Sequence, residues 1–264
     1  MNDMSQWYIG TIGFSYKDWV GEFYPSSITQ REYLPYYSKV FNSVEIDTTF
    51  HAIPRPTTVQ SWYAVTPPEF KFCVKTPRIV THDLGLKGTN GLMNEFLESI
   101  SPLQGKTGPI LIQLPPKYSQ ENISDLDIFL ASLPDTHQYA IEFRHPSWYN
   151  EKTNHLLSHY QICWVTVDYP NLPRQINLTA NFIYIRWIGI NGMYRHHFYE
   201  RVDKTAQLSA WIELINPYLE HVPCIFGFFN NDYAGFAAGT CKRFIQLAGI
   251  SNIDQNMTYQ ERLF

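Results

Sequence analysis

Apolar and polar residues alternate along a series of short segments, and residues 139–146 show this pattern most clearly. The segment reads Tyr-Ala-Ile-Glu-Phe-Arg-His-Pro and ends at a proline. Side chains alternate in direction along a strand, so Glu142 and Arg144 share one face with each other. Ile141 and Phe143 share the opposite face. Because a carboxylate and a guanidinium are costly in an apolar strand unless paired or solvated, this strand is predicted to border a polar cavity.

Seven further segments have the length and apolar content of strands, and each ends near polar residues, proline or glycine. The eight predicted strands cover residues 7–11, 43–50, 70–77, 109–116, 139–146, 162–168, 181–187 and 223–232. Apolar residues with a helical period lie between most of them. The predicted helices cover residues 30–41, 56–64, 92–100, 122–133, 148–160, 205–219 and 233–248.

Local signals refine the ends of two helices. Thr29 and Glu32 resemble a capping box, and Pro35 predicts that the first helix starts nearer Leu34. Gly249 is placed as a C-terminal cap of the last helix. The tail after residue 250 is predicted to be peripheral.

Strands and helices alternate along the chain, which is typical of a parallel sheet covered by helices. Eight strands in 264 residues predict an α/β fold, a single TIM-type (β/α)8 barrel. Residues 169–180 contain two prolines and no helical period, so the helix after strand six is predicted to be reduced or missing. No linker or repeat is visible, so residues 1–264 are predicted to form one domain.

Composition narrows the class of protein. A formal net charge of -4 and a pI near 6.1 argue against nonspecific binding of nucleic acid. Residues 1–8 are polar and lack the apolar segment of a secretion signal, and no apolar run has the length of a membrane span. We expect no membrane partner.

The cysteines point to a reducing compartment. Cys73, Cys163, Cys224 and Cys241 are far apart and include no C-x-x-C, which argues against a zinc ribbon. Three of them lie inside predicted strands, where a free thiol behaves as a small apolar residue. This usage predicts a cytoplasmic protein.

Every predicted strand carries a polar group near its C-terminal end, where barrel enzymes place their active sites. These candidates are Thr11, Ser15, Tyr16, Glu45, Asp47, Lys75, Arg78, Gln113, Glu142, Arg144, Asp168, Arg186 and Asn230 to Asp232. Two interpretations stay open. The groups form either a pocket for a polar or anionic molecule, or ion pairs that close one end of the barrel.

Chemistry suggests a catalytic set of three carboxylates. Glu142, paired with Arg144, would stay ionised and act as a base. Glu45 and Glu142 would form an acid/base pair if their separation suits glycoside hydrolysis. Asp168 is the third catalytic candidate.

The remaining candidates are predicted to bind the ligand. Arginine offers a two-pronged contact to phosphate or carboxylate, and lysine offers a point charge. The predicted ligand-binding residues are Lys75, Arg78, Gln113, Arg144, Arg186, Asn230, Asp47, Thr11, Ser15, Tyr16 and Trp148. Aromatic residues reach 16% of the chain, and they serve cores first but also permit a stacking wall. The predicted walls are Phe14, Tyr16, Phe50, Trp148 and Trp187.

Local motifs for metal or serine chemistry are missing. There is no H-E-x-x-H and no G-x-S-x-G. No cofactor is therefore predicted, although a divalent metal stays an alternative because a barrel collects ligands from many strands. Residues of suitable type are Asp47, His51, His82, Glu142, His145, Asp168, His196 and His197.

Eight motifs in order resemble those of the YecE-like family, also called domain-of-unknown-function family 72. They are residues 9–11 (Ile-Gly-Thr), 14–19 (Phe-Ser-Tyr-Lys-Asp-Trp), 23–25 (Phe-Tyr-Pro), 44–50 (Val-Glu-Ile-Asp-Thr-Thr-Phe), 72–78 (Phe-Cys-Val-Lys-Thr-Pro-Arg), 113–116 (Gln-Leu-Pro-Pro), 142–148 (Glu-Phe-Arg-His-Pro-Ser-Trp) and 229–232 (Phe-Asn-Asn-Asp). The resemblance covers nearly the whole chain. It implies a TIM-type barrel in a soluble bacterial or archaeal protein, and no settled activity.

The chain departs from that family's pattern at three positions. Asp47 stands where the family more often has Asn, and His51 stands where it has Tyr. The seventh strand often ends Arg-x-His-Gly, whereas here Ile188 follows Arg186 and Trp187. No role that needs that histidine is carried over.

These residues are compatible with three alternative functions. The first is an enzyme that acts on a small sugar-like or phosphorylated substrate by acid/base chemistry, as a hydrolase or isomerase. The second is a metal-dependent phosphodiesterase or nuclease-like hydrolase, by analogy of fold alone. The third is a noncatalytic protein that binds a small ligand.

Overall fold

A computed structural model describes residues 5–250, and all strand pairings within them are parallel. Within these residues the strands are β1 (Gln6–Thr11), β2 (Ser43–Ile46), β3 (Lys71–Val74), β4 (Ile110–Gln113), β5 (Tyr139–Glu142), β6 (Cys163–Trp164), β7 (Thr166–Asp168), β8 (Phe182–Trp187) and β9 (Cys224–Phe229). The mixed α/β architecture predicted from the sequence is confirmed. The predicted peripheral tail after residue 250 lies outside the described residues.

The α-helices connect the strands. Between residues 5 and 250 they are α1 (Tyr33–Val40), α2 (Pro56–Ala64), α3 (Asn90–Ile100), α4 (Ile123–Ala131), α5 (Glu151–His159), α6 (Thr205–Ile215), α7 (Asn231–Ala234) and α8 (Ala237–Ala248). None of the helices in this part of the chain is long and apolar enough to span a bilayer.

Both predicted helix ends are confirmed. The Glu32 carboxylate accepts hydrogen bonds from the backbone N–H and the hydroxyl of Thr29, and α1 begins one residue later. Gly249 caps α8 with a φ of 62°, in the left-handed region that suits glycine.

Two predicted elements are divided in the structure. Predicted strand six breaks at Val165, so that β6 pairs with β5 while β7 pairs with β8. The last predicted helix breaks at Gly235, whose φ of 102° ends α7 before α8 begins. No helix lies between β7 and β8, as predicted for residues 169–180.

The strands form three sheets that are linked at their edges. Their orders are β1-β9-β8-β7, β2-β3 and β4-β5-β6. A parallel bridge between Ile12 and Glu45 joins the end of β1 to β2. A second bridge, between Lys75 and Leu111, joins the end of β3 to β4. The C-terminal ends of neighbouring strands are therefore held side by side.

In the described part of the chain, buried apolar residues form two clusters, one on each face of the strands. The larger cluster contains Ile141 and Phe143 together with the buried faces of the helices. The smaller cluster contains Ala140, Tyr184 and Phe226. Strand alternation therefore places the side chains of Glu142 and Arg186 on the face of the smaller cluster, as the pattern of residues 139–146 predicts.

We expect Gly10→Ala to lower the free energy of unfolding by about 1–3 kcal/mol, since overpacking displaces fixed neighbours. A Cβ at Gly10 would lie 1.9 Å from the carbonyl oxygen of Ser43 and 2.6 Å from the hydroxyl of Tyr37. Urea denaturation measures the change. Gly91→Ala is the control, because a Cβ there meets nothing within 4 Å. Equal stability of the two variants would contradict this prediction.

Candidate functional site

Three strands that are distant in sequence bring two carboxylates to one guanidinium. Arg186 on β8 donates from Nε and Nη2 to both carboxylate oxygens of Glu45 on β2, at 2.9 and 2.7 Å. Its Nη1 donates to Oε2 of Glu142 on β5. The side chains of both glutamates are 0% exposed and that of Arg186 is 4% exposed. A buried arginine therefore bridges two buried glutamates.

Two further donors complete this cluster. The Nε of Arg144 donates to Oε1 of Glu142, and the hydroxyl of Tyr184 donates to Oε2 of Glu45 at 2.7 Å. The guanidinium of Arg144 also lies over the ring of Tyr169, 4.1 Å from its centre. Every carboxylate oxygen in the cluster thus accepts at least one hydrogen bond, as buried charge requires.

The two carboxylates differ in their electrostatics. Burial raises the pKa of Glu142, but Arg144 and Arg186 together outweigh burial and lower it to about 2. Burial raises the pKa of Glu45, and the Arg186 charge only partly opposes this effect. Burial would lower the pKa of Arg186, but Glu142 and Glu45 raise it. Glu142 is consequently a weak proton acceptor, which favours a supporting role over that of a general base.

A cavity of about 360 Å³ lies against this cluster. Its lining residues are Asp47, Phe50, His51, Lys75, Gln113, Pro116, Arg144, Tyr169, Arg186, Ile188, Asn191 and Asn230. Six of the predicted ligand-binding residues are among them, namely Asp47, Lys75, Gln113, Arg144, Arg186 and Asn230. Glu45 and Glu142 are not among the lining residues, and they contact the arginines instead.

Lys75 differs from the two arginines. It is 8% exposed, and its ammonium lies 4.1 Å from the centre of the Phe50 ring. Its Nζ makes no hydrogen bond or ion pair with any residue between 5 and 250. Burial lowers the pKa of Lys75, the Arg186 charge lowers it further, and the value falls to about 8 although Glu45, Glu142 and Asp47 oppose this shift. The cavity therefore contains a buried amine with no acidic partner.

Comparison with known proteins identifies the family. A family profile described as "Protein of unknown function DUF72" matches residues 8–262. The chain belongs to the DUF72 family. The YecE-like resemblance inferred from the eight sequence motifs is confirmed.

Relatives of this DUF72 chain come from several bacteria. The UPF0759 protein YecE of Escherichia coli (strain K12) is 32% identical over 246 residues, which cover 83% of this chain and 87% of YecE. The UPF0759 protein YunF of Bacillus subtilis is 26% identical, over 92% of this chain and 95% of YunF. A crystal structure of a DUF72 family protein from Thermotoga maritima is 31% identical. It matches with a TM-score of 0.80 over 93% of this chain and 98% of its own.

Three predicted ligand-binding residues near the end of β1 do not line the cavity. Their hydroxyl groups make hydrogen bonds to other residues of the N-terminal segment instead. Thr11 is fully buried, and its hydroxyl donates to the carbonyl of Gly13 at 2.6 Å. The hydroxyl of Ser15 accepts from the side-chain amide of Gln30. The hydroxyl of Tyr16 donates to a main-chain carbonyl four residues earlier.

Two other predicted residues also lie outside the cavity. The guanidinium of Arg78 is largely exposed and forms an ion pair with Asp83 at 3.2 Å. Trp148 is fully buried, its indole N–H donates to the carbonyl of Tyr118, and its ring stacks on Phe143. The 3-10 turn at residues 146–148 turns this indole into the core. Of the five predicted aromatic walls, Phe50 alone is among the lining residues.

Asp168 borders a second cavity, of about 350 Å³. Its carboxylate accepts from the indole N–H of Trp211 at 2.8 Å and from Arg174 at 3.0 Å. Tyr169 lines both cavities. The three predicted catalytic carboxylates are therefore not brought together in one cavity.

Metal-ligand residue types are dispersed. Within residues 5–250 no group of three or more His, Cys, Asp and Glu side chains is placed to hold a metal ion. Of the residues that the sequence offers as ligands, Asp47 and His51 line the first cavity.

Three residues with polar side chains at this site were not predicted from the sequence. Tyr184 lies two positions before Arg186, so strand alternation was a signal that it faces the same way. Tyr169 and Asn191 lie on segments without periodicity. Only the folded chain brings such residues to a site, because loop side chains carry no directional pattern.

Proposed function

We propose that the first cavity binds a small anionic molecule, and that Lys75, Arg144 and Arg186 hold its phosphate or carboxylate group. The observation that carries this proposal is the buried Lys75 ammonium, which has no acidic partner among the described residues. An unpaired buried charge is costly, and an anionic ligand would offset that cost.

The other lining residues favour a ligand that also carries hydroxyl groups. Asp47, Gln113 and Asn230 offer hydrogen-bond donors and acceptors beside the cations. The ring of Phe50 supplies an apolar wall. A cavity of about 360 Å³ lies at the lower end of the range for small-molecule sites. A small sugar-like or phosphorylated substrate fits these properties.

We further propose that the protein is an enzyme that uses acid/base chemistry at this cavity. Glu142 is held ionised by two arginines and is a poor base. Lys75 lines the cavity, and burial together with the Arg186 charge lowers its pKa to about 8. A group with a pKa near the working pH transfers protons most effectively, so Lys75 takes the role first assigned to Glu142.

We propose that the strands close into one TIM-type barrel and that the chain is a single domain. The first and last strands pair directly, since β1 pairs with β9 over six residues. Bridges at Ile12 and at Lys75 connect the separate sheets. These contacts link consecutive strands in the order that a closed barrel requires.

We also propose a reducing, cytoplasmic location. The four cysteines are free thiols, and three of them are buried. Free thiols of this kind are typical of proteins from reducing compartments.

We expect Lys75→Gln to weaken the binding of inorganic phosphate at least tenfold at pH 7, which is about 1.4 kcal/mol. Isothermal titration calorimetry with phosphate and with glucose 6-phosphate measures this change. Lys71→Gln is the matched control, because Lys71 begins β3, the strand that leads into Lys75, but its ammonium donates to the carbonyl of Gly105. Failure of both anions to bind at millimolar concentration, or equal binding by Lys75→Gln, would refute the anion site.

A further inference from the structure

The geometry points to Lys75 as a covalent catalyst whose amine condenses with the carbonyl group of an anionic aldehyde or ketone. The resulting imine would join Nζ of Lys75 to the former carbonyl carbon. This inference rests on the proposed anion site. Lys75 contributes to holding a simple anion such as phosphate, whereas with a carbonyl substrate Arg144 and Arg186 would hold the charged end and the Lys75 amine would attack the carbonyl. It narrows the substrate class to oxo acids and phosphorylated carbonyl compounds.

The backbone of Lys75 is fixed from two sides. Its N–H donates to the carbonyl of Ile46 at 3.0 Å, and its carbonyl accepts from the hydroxyl of Thr49 at 2.7 Å. Lys75 also forms the bridge to Leu111 on the next strand. The side chain therefore starts from a rigid strand end and reaches the cavity across the face of Phe50. A nucleophile held in this way needs little ordering before it attacks.

Three carboxylates act on Lys75, namely Glu45, Glu142 and Asp47. Asp47 lines the cavity with Lys75, and the other two are engaged by other donors. Both oxygens of Glu45 accept from Arg186, and the oxygens of Glu142 accept from Arg144 and Arg186. Among residues 5–250, no carboxylate lies within 4.0 Å of the Lys75 ammonium to hold its proton. A desolvated lysine beside another cation is the usual arrangement for an amine nucleophile. At a pKa of about 8, roughly a tenth of Lys75 is unprotonated at pH 7.

Lys106 is a second buried lysine, and it differs from Lys75 in the hydrogen bonds of its ammonium. Lys106 is 5% exposed, but its ammonium donates to the carbonyls of Tyr63 and Thr66 and to the Thr66 hydroxyl, at 2.6 to 3.0 Å. Three donated hydrogen bonds use all its protons, so its nitrogen offers no lone pair. Burial alone is therefore not what distinguishes Lys75.

The proposed step balances without an oxidant or reductant. The Nζ lone pair attacks the carbonyl carbon and forms the C–N bond, while the carbonyl π bond breaks toward oxygen. The amine loses two protons, the oxygen gains both and leaves as water, and a C=N bond replaces the C=O bond. Once protonated, the imine withdraws electrons from the adjacent carbon and so promotes cleavage of a neighbouring C–H or C–C bond.

Reductive trapping tests the imine. The full chain is incubated at pH 7 with sodium cyanoborohydride and with glyoxylate, pyruvate or dihydroxyacetone phosphate in turn, and peptides are analysed by mass spectrometry. We expect one adduct per chain with at least one of these compounds, on the peptide that carries Lys75 and not on the peptide that carries Lys106. We expect saturating inorganic phosphate to reduce this adduct at least fivefold.

Lys75→Arg separates the imine from the anion site. This variant keeps a cation, so it should bind phosphate more tightly than Lys75→Gln does, while forming no adduct. If the parent binds phosphate and none of the three compounds modifies Lys75 selectively, the imine inference is overturned and the anion site stands. If the parent does not bind phosphate and the labelling is spread over surface lysines, both proposals fail.

Discussion

Replacing Arg186 by methionine should lower the free energy of unfolding by about 3–5 kcal/mol, the cost of removing one partner from a buried ion pair. Arg186 donates to Glu45 through two nitrogens and to Glu142 through a third. In the variant Glu142 keeps Arg144 as a partner. Among the described residues Glu45 keeps only the Tyr184 hydroxyl as a hydrogen-bond donor, so a fully buried carboxylate loses the guanidinium bonded to it.

The loss of unfolding free energy in Arg186→Met should become smaller as the pH falls. Without Arg186 the pKa of Glu45 in the folded variant rises further above its unfolded value, because burial already raises it. The folded variant then binds more protons than the unfolded chain between those two pKa values, and its stability falls as the pH rises through that window. The difference between parent and Arg186→Met is therefore smaller at pH 5 than at pH 8.

Urea denaturation at both pH values measures these differences. Arg78→Met is the matched control, because its ion pair with Asp83 is solvent-exposed and such pairs contribute about 0–1 kcal/mol. Adding Glu45→Gln to Arg186→Met should restore part of the stability, since it removes the unpaired charge. A loss for Arg186→Met no larger than that for Arg78→Met would show that the buried cluster contributes little.

Strand periodicity predicted the core of this site. The alternation in residues 139–146 placed Glu142 and Arg144 on a polar face, and the two side chains form an ion pair there. The same rule applies to Arg186 on β8. Periodicity succeeds here because strand residues have only two directions, so one apolar neighbour fixes the orientation of the next polar residue.

Periodicity did not predict which polar residues meet the cavity. Lys71 and Lys75 lie on one face of the same segment, yet Lys71 bonds the carbonyl of Gly105 while Lys75 lines the cavity. Their positions along the strand determine which of the two lysines reaches the cavity. Those positions relative to the cavity depend on the register with β2 and β4. Register is set by contacts between distant segments, which a single sequence does not display.

The largest difference concerns the catalytic role given to the carboxylates. Glu45 and Glu142 are predicted from the sequence as an acid/base pair if their separation suits glycoside hydrolysis, because barrel enzymes place active sites at the C-terminal ends of the strands. Both are fully buried and bonded to Arg186, so each positions a cation that lines the cavity. Residue type and strand position do not distinguish a catalytic carboxylate from one that positions a cation. The two roles differ in how deeply the side chain is buried and in which residue it is bonded to.

Replacing Lys75 by methionine should raise the free energy of unfolding at pH 7 by about 1–3 kcal/mol and abolish phosphate binding. In the folded protein Lys75 is 8% exposed, and its ammonium makes no hydrogen bond or ion pair within residues 5–250. Methionine has a similar length and fills the same space beside Phe50 without a charge. The contact between the ammonium and the Phe50 ring offsets part of the gain.

The stability that Lys75→Met gains over the parent should decrease as the pH rises. Burial and the Arg186 charge lower the pKa of Lys75 from 10.5 to about 8 in the folded protein. The unfolded chain therefore binds more protons at this site between those values, so the parent gains stability as the pH rises from 8 toward 10.5. The advantage of Lys75→Met should therefore decrease by about 2 kcal/mol between pH 7 and pH 9.5.

Chemical denaturation of the parent, Lys75→Met and Lys71→Met at pH 7 and pH 9.5 measures this dependence. Lys71→Met should change stability by less than about 0.5 kcal/mol at either pH, as expected for a residue outside such a network. A site that binds ligand is often less stable than an apolar replacement. A variant that is more stable but does not bind phosphate would show that Lys75 is retained for the ligand. Destabilisation by Lys75→Met at pH 7 would instead mean that Lys75 supports the fold.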